Sequence, residues 1–188
     1  CTLEKLVDRL FLFSKLDLGQ VSFMMERVSL RDYFADFAAE NTERLAERGL
    51  ILHYSPPAGP AWTAIDRMQF QRVIDNLLEN ALKYKEGPTV TMDLHLAETP
   101  QAGVLTAADH GPGVPAADLP RLFDSFYRTD AARTDVQKGS GLGLAIAKQI
   151  ITTLHGQIHA EATPGGGLTV VITLPRIEEE YHETDSDH

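Results

Sequence analysis

Apolar residues at Leu3, Leu6, Val7, Leu10, Phe13 and Leu16 recur with the spacing of one helix face, which predicts a helix over 2–17. Phe11 and Leu12 extend the apolar surface nearly all round, so such a helix needs a partner. Gly19 stands where a left-handed residue would close it, and a short β-type stretch is expected at 21–25. Ser29 followed by Asp32 resembles a capping box. From there Leu30, Tyr33, Phe34, Phe37, Ala38 and Leu45 mark one stripe of a second helix running to about 48. Residues 50–54 read as a strand, the Pro56-Pro57-Ala58-Gly59-Pro60 cluster as a loop, and Asp66 as the cap of a third helix reaching about 85. Segments 89–96 and 103–109 are β-rich and predict an antiparallel pair.

Between 110 and 141 the chain is rich in Gly, Pro and charge and holds one apolar island, 119–126, so it reads as a long loop with a short helix. Loops of that length in compact domains usually carry function or move. A fourth helix is expected over 142–154, ending at Gly156, and strands at 157–162 and 168–174 flank a Pro164-Gly165-Gly166-Gly167 turn. No internal repeat is present. This order of elements predicts an α+β fold: a two-layer sandwich of a mixed, mostly antiparallel sheet with helices on one face, plus an N-terminal helix.

Length and charge narrow the function classes. A chain of 188 residues fits one domain with a short appendage, and 43% hydrophobic with 23% charged residues allow a real core. Lys plus Arg number 17 against 27 Asp plus Glu, a net charge of -10 that disfavours nucleic acid or an anionic membrane as a partner. Six acids against one Arg between 176 and 188 put -5 of this on a tail expected to be disordered. The single cysteine, Cys1, forms no internal disulfide, and no apolar run reaches the roughly 18 to 20 residues of a membrane helix, so a cytoplasmic setting is the expectation. A start at Cys in place of Met reads as a piece of something longer.

Three segments carry candidate chemistry. On the third helix, at about 100° per residue, Asn76, Asn80 and Lys83 share one stripe bordering the apolar face of Phe70, Ile74, Leu77 and Ala81, with Asp75 and Glu79 opposite. Neutral amide oxygens suit a Mg2+ that also carries phosphate oxygens, and Lys83 could meet a phosphate as a point charge. Taken alone, the two amides read more simply as residues edging a core. Asp109-His110-Gly111-Pro112-Gly113 ends a strand with glycines that let backbone approach a flat ligand, and Asp109 would accept from an amino group; alone this is also a common turn. Lys138-Gly139-Ser140-Gly141-Leu142-Gly143-Leu144 opens a helix whose backbone N–H groups could hold phosphates, or simply enters it. Neither the dinucleotide fingerprint nor the Walker sequence is matched, the seven histidines show no metal spacing, and no Gly-x-Ser-x-Gly elbow occurs. His155, at a helix end, reads as a favourable charge there, and the methionines and Trp62 as packing.

In this order the segments resemble the catalytic ATP-binding domain of sensor histidine kinases, within the wider ATPase superfamily of gyrase and the Hsp90 chaperones. Residues 73–84 are similar to that family's asparagine box, 109–115 to its first glycine box, and 122–128 to its phenylalanine box. Residues 139–144 are similar to the second glycine box, and Gly165-Gly166-Gly167 with Leu168 to the final glycine turn. The stretch 13–20 is similar to the end of the second dimerisation helix that precedes this domain in kinases. The resemblance covers about 29–175. It implies ATP and Mg2+ as cofactors, Asn80 and Asn76 on the metal, and Asp109 on the adenine amino group. It further implies that Lys83, Tyr84, Arg128 and Gly139 to Gly143 meet ribose or phosphates, with Asn80, Lys83 and Arg128 nearest the transfer and Gly111, Gly113, Lys138, Ser140, Gly141 and Leu142 in the binding wall.

The expected division is a dimerisation-helix remnant over 1–20, the catalytic domain over 21–175 and the acidic tail over 176–188. Implied partners are a response regulator receiver domain and, in the parent protein, a second copy joined through the N-terminal helix; this domain is expected in the cytoplasm, and whether the parent is a membrane-bound sensor is left open by the sequence. None of the seven histidines has the acceptor setting, so the acceptor helix is missing, and His110 replaces the commoner Asn of the first glycine box. A nucleotide-binding regulatory module without phosphotransfer is the alternative, and a purely structural dimerisation piece a third reading.

Overall fold

Side-chain caps set where two of the helices begin. Ser29 Oγ accepts the Asp32 N–H at 3.2 Å and starts one helix; Asp66 Oδ1 accepts the Gln69 N–H at 3.1 Å and starts the next. The computed structural model describes residues 2–129 and 140–178. Its elements, in order, are α1 (Leu3–Asp17), β1 (Glu26–Ser29), α2 (Leu30–Glu47), β2 (Leu50–Ser55), β3 (Trp62–Ile65), α3 (Arg67–Tyr84), β4 (Val90–Glu98) and β5 (Ala102–Asp109). After a single 3-10 turn at Leu119–Arg121 come α4 (Gly143–Thr153), β6 (Gln157–Ala162) and β7 (Leu168–Pro175).

A five-stranded sheet runs β2-β4-β5-β7-β6, parallel between β2 and β4 and antiparallel elsewhere. Its strands alternate. Val90, Met92, Leu94 and Leu96 of β4 are buried, while His95 faces out and Thr91 and Asp93 are half-exposed. Helices α2, α3 and α4 cover the buried face, and Phe34, Phe70, Ile74, Leu94, Leu105 and Ile150 fill the space between. Tyr33, Phe34 and Phe70 pack with ring centroids 5.1 to 6.0 Å apart, in edge-on and tilted arrangements that stabilise beyond their buried area. The expected two-layer α+β sandwich is therefore present.

Two strands differ from the sequence reading. Residues 21–25 are not a strand; the strand is β1, one step later, and it pairs antiparallel with β3, to which the sequence reading assigned no element. Both have only four residues, and each becomes a strand because the other is there. At the end of α4 the left-handed residue is His155, with φ 61°, while Gly156 is needed for space: a Cβ there would lie 2.6 Å from the Thr173 carbonyl oxygen.

The first helix is closed at Gly19 as expected. Leu16 is 5% exposed, Leu12 and Phe13 pack on the core, and Gln149 Nε2 of α4 donates to Asp17 Oδ1 at 3.3 Å, so the C-terminal half of α1 docks on α4. Leu3, Val7, Leu10 and Phe11 point away, Leu3 being 77% exposed. At the other end the body continues past the expected boundary, since the Arg176 and Ile177 N–H groups donate to Gln101 and Trp62 carbonyls. The acidic run beyond 178 lies outside the described residues. Among the described residues no helix is long and apolar enough to cross a membrane.

Candidate active site: the cleft beside the third helix

The period of α3 places its polar stripe as the sequence suggested. Phe70, Ile74, Leu77 and Ala81 are buried, Asp75 and Glu79 are exposed, and Asn76, Asn80 and Lys83 are half-buried between them. These three, with Tyr84, line a cleft of about 500 Å3. Asp109, Gly111 and Gly113 form its far wall, and Arg128, Ser140, Gly141 and Gly143 approach from the loop and from α4. Leu142, at the start of α4, is fully buried and does not line the cleft. Lys138 and Gly139 lie outside the described residues, as does most of the 128–138 stretch.

Asp109 ends β5 with its side chain 8% exposed. One oxygen, Oδ1, accepts the N–H of Gly111 and that of Leu168, each at 3.0 Å. Nothing among the described residues donates to Oδ2, which leaves a fixed, ionisable acceptor at the cleft wall. The glycine turn between β6 and β7 closes onto this strand end. A Cβ on Gly167 would stand 1.9 Å from the Asp109 carbonyl oxygen, and one on Gly113 would stand 2.9 Å from the Gly167 carbonyl oxygen. Both have positive φ, so only glycine fits either position. Sequence reading found Asp109 and both glycines but missed the Leu168 N–H and the buried Thr163–Thr169 hydroxyl pair, 2.9 Å apart, that holds the turn. No local pattern signals a bond across 59 residues.

The other end is assembled from side chains and a helix terminus. Asn76 Nδ2 donates to the Gly143 carbonyl at 3.0 Å, which ties α3 to the start of α4 and leaves Oδ1 as acceptor. The Asn80 amide has no hydrogen bond to any described residue. Helix α4 begins without a side-chain cap, so its first N–H groups are open to an anion. Lys83 Nζ lies 4.9 Å from the Tyr84 ring centroid. Around the phenylalanine box, Tyr127 donates its hydroxyl to Asp118 and stacks under Arg121 at 4.3 Å, and the Phe126 N–H donates to the Gly141 carbonyl at 3.1 Å. Lys5 and Arg9 of α1 also line the cleft, although the sequence reading gave that helix no part in it.

His110 turns away from the cleft to the open face of the sheet. Its Nε2 and Asp93 Oδ2 are 2.7 Å apart, and His53 Nδ1 lies 3.0 Å from Asp93 Oδ1. The hydrogen bond from His110 first, and that from His53, hold the Asp93 carboxyl below its ordinary range. Among the described residues no group of three or more His, Cys, Asp or Glu side chains is arranged to hold a metal ion.

Residues 65–178 match the family model described as histidine kinase-, DNA gyrase B- and HSP90-like ATPase. The chain is 34% identical over 182 residues to sensor histidine kinase WalK of Bacillus subtilis (strain 168), covering 96% of this chain and 30% of that protein. It is 36% identical over 174 residues to signal transduction histidine-protein kinase BaeS of Escherichia coli (strain K12), covering 93% of this chain and 37% of that protein. The chain thus spans about a third of the curated relatives it matches. Among solved structures, full-length ShkA in complex with AMPPNP superposes with a TM-score of 0.76 at 21% identity, over 93% of this chain and 36% of that one. The nucleotide-free catalytic domain of histidine kinase ThkA gives 0.68 at 18% identity, over 82% of this chain and 99% of that one. With the asparagine stripe, the Asp109 wall and the glycine turns gathered on one cleft, these matches place the chain in the histidine kinase-, DNA gyrase B- and HSP90-like ATPase family, as a catalytic ATPase domain of the sensor histidine kinase kind.

Proposed function

We propose that the cleft binds Mg-ATP and that, in the full-length protein, this domain transfers the γ-phosphoryl to a histidine on a dimerisation domain mostly absent from the chain. The observation that carries the reading is Asp109: a carboxylate immobilised by two backbone N–H groups, with its second oxygen left to accept the exocyclic amino group of adenine. Gly111 and Gly113 keep that wall flat, Tyr84 and Lys83 lie toward the ribose and phosphates, and Ser140, Gly141, Gly143 and Arg128 face the phosphate tail. Asn80 and Asn76 supply the amide oxygens that would hold Mg2+, which when bound neutralises charge on the transferring phosphate.

None of these groups is assigned the role of a nucleophile. That suits a transfer in which the protein positions the phosphates and stabilises their charge while another domain supplies the attacking nitrogen. The phosphohistidine would then serve a response regulator receiver domain, and α1 would belong to the helix through which two copies of the parent associate, on the cytoplasmic side of a membrane sensor. Its exposed Leu3, Val7, Leu10 and Phe11 form the apolar face such a partner would cover.

The test uses labelled ATP, Mg2+ and a separately supplied dimerisation domain containing the acceptor histidine. The expected result is acid-labile phosphate on the added domain and none on this chain. Binding of ATP without transfer to several such domains would favour the regulatory-module alternative, and no binding of ATP or adenosine would overturn the nucleotide reading.

A further inference from the structure

At about 100° per residue, Lys5, Arg9, Leu12 and Leu16 fall within roughly 60° of one another on α1, whereas Leu3, Val7, Leu10 and Phe11 lie on the other side. The structure shows what this stripe does. Its C-terminal half, Leu12 and Leu16, is apolar and packs on the domain core; its N-terminal half, Lys5 and Arg9, is cationic and lies in the cleft wall with Asn80 and Lys83. The docked face of α1 therefore changes from grease to charge where the surface beneath it changes from core to nucleotide cleft.

Neither cation is accounted for by an acid. Lys5 and Arg9 have no ion-pair partner among the described residues. Of the two glutamates on this side of the cleft, Glu79 is engaged by Arg48 at 2.8 Å, and Glu86 is an exposed residue with no ion-pair partner among the described residues. On a chain of net charge -10, two cations held over a cavity that already contains Lys83 and Arg128 raise the local potential where an anion would sit.

We propose that Lys5 and Arg9 of α1 bind the polyphosphate tail of the nucleotide, so that the helix leading into the domain is part of the nucleotide site. The inference rests on the Mg-ATP reading of the cleft and adds to it residues from outside the segment that matches the family model, 65–178. It makes nucleotide affinity depend on how α1 is seated. Undocking of Leu12 and Leu16 from the core withdraws both cations from the phosphates, and a bound triphosphate in turn holds α1 against the domain, by the reciprocity that any coupling of two equilibria requires. The apolar face of α1 points the other way, so a partner helix can cover it while Lys5 and Arg9 remain over the cleft.

The experiment is titration calorimetry of the whole 188-residue chain with ATP plus Mg2+ and, separately, with adenosine. It compares the wild type, a K5Q/R9Q double variant, and K15Q, which removes a charge from the same helix outside the cleft. The double variant should lose about tenfold or more in ATP affinity, with a flatter salt dependence, and keep the adenosine affinity of the wild type; K15Q should match the wild type for both. All three should melt together, since the substituted side chains are not buried, and a K5R/R9K exchange should restore ATP binding. An ATP affinity in the double variant within twofold of wild type overturns this inference alone. A parallel loss for ATP and adenosine overturns it as well, by showing a general effect on the fold. Failure of the wild type to bind either ligand overturns the nucleotide reading and this inference with it.

Discussion

The two ends of the cleft are built differently. The Asp109 end is made of backbone: a strand terminus, two positive-φ glycines and a hairpin turn interlock so closely that a single added carbon has no room. The other end, proposed for the phosphates, is made of pieces of three helices: the side chains of Asn76, Asn80 and Lys83 on α3, the uncapped start of α4, and the side chains of Lys5 and Arg9 on α1. A site of the first kind is preformed and cannot be tuned without being broken. A site of the second kind can be adjusted one charge at a time. On the proposed reading, recognition of the base is thereby separated from control over the phosphates.

The largest break in that contrast should come from G167A. Its Cβ would meet the Asp109 carbonyl oxygen at 1.9 Å with φ at 119°, so the turn must move and the Leu168 N–H leave Asp109. We expect more than about 2 kcal/mol of lost stability in denaturant unfolding and loss of both ATP and adenosine binding. D109N is milder: the amide oxygen still accepts from Gly111 and Leu168, but an N–H2 group now faces the adenine donor. Adenosine and ATP should weaken together by about 30- to 100-fold, equivalent to roughly 2 to 3 kcal/mol, with melting unchanged. Unaltered affinity would remove Asp109 from base recognition.

N80A tests the other end. ATP affinity in Mg2+ should fall about tenfold while adenosine affinity stays at the wild-type value, and the gain in ATP affinity on adding Mg2+ should shrink. Equal losses for the two ligands would erase the distinction between the ends.

How far the sequence carried this picture depends on the range of each signal. Helix stripes are local, so Asn76, Asn80 and Lys83 could be placed on one edge from spacing alone, as could Leu30, Phe34 and Phe37 in the core. The four-residue strands β1 and β3 pair Glu26 with Ile65 and carry no local signal of their own, and one was misplaced and the other missed for that reason. Lys5 and Arg9 escaped notice because α1 reads as apolar all round. Only the docking of Leu16 on the core fixes which side is inward.

The smallest expected effect checks that the contrast belongs to the cleft and not to overall stability. Burial pushes the Tyr54 hydroxyl up to about 12, with Asp32 adding to it, and raises that of Tyr33 as well; they donate to the Arg31 carbonyl and to Gln71. A folded-state value above the unfolded one means stability that is complete below about 10 and is lost as pH rises toward 12. Melting temperature should therefore fall in that window, and Y54F should flatten the fall slightly. Neither change should alter the ratio of ATP to adenosine affinity at neutral pH.

The bond from the Leu168 N–H to Asp109 spans 59 residues, and it bears on how the molecule comes into being. While the chain is being made, α2, α3 and the β4–β5 hairpin can form before β7 exists, but Asp109 then lacks one of the two donors that fix it and the turn that backs it. A nascent or truncated chain ending before Leu168 keeps the asparagine stripe of α3 without the completed Asp109 wall proposed to recognise the base. On the proposed reading, the adenine site is completed only when β7 enters the sheet, so adenosine binding would report that β7 is in place.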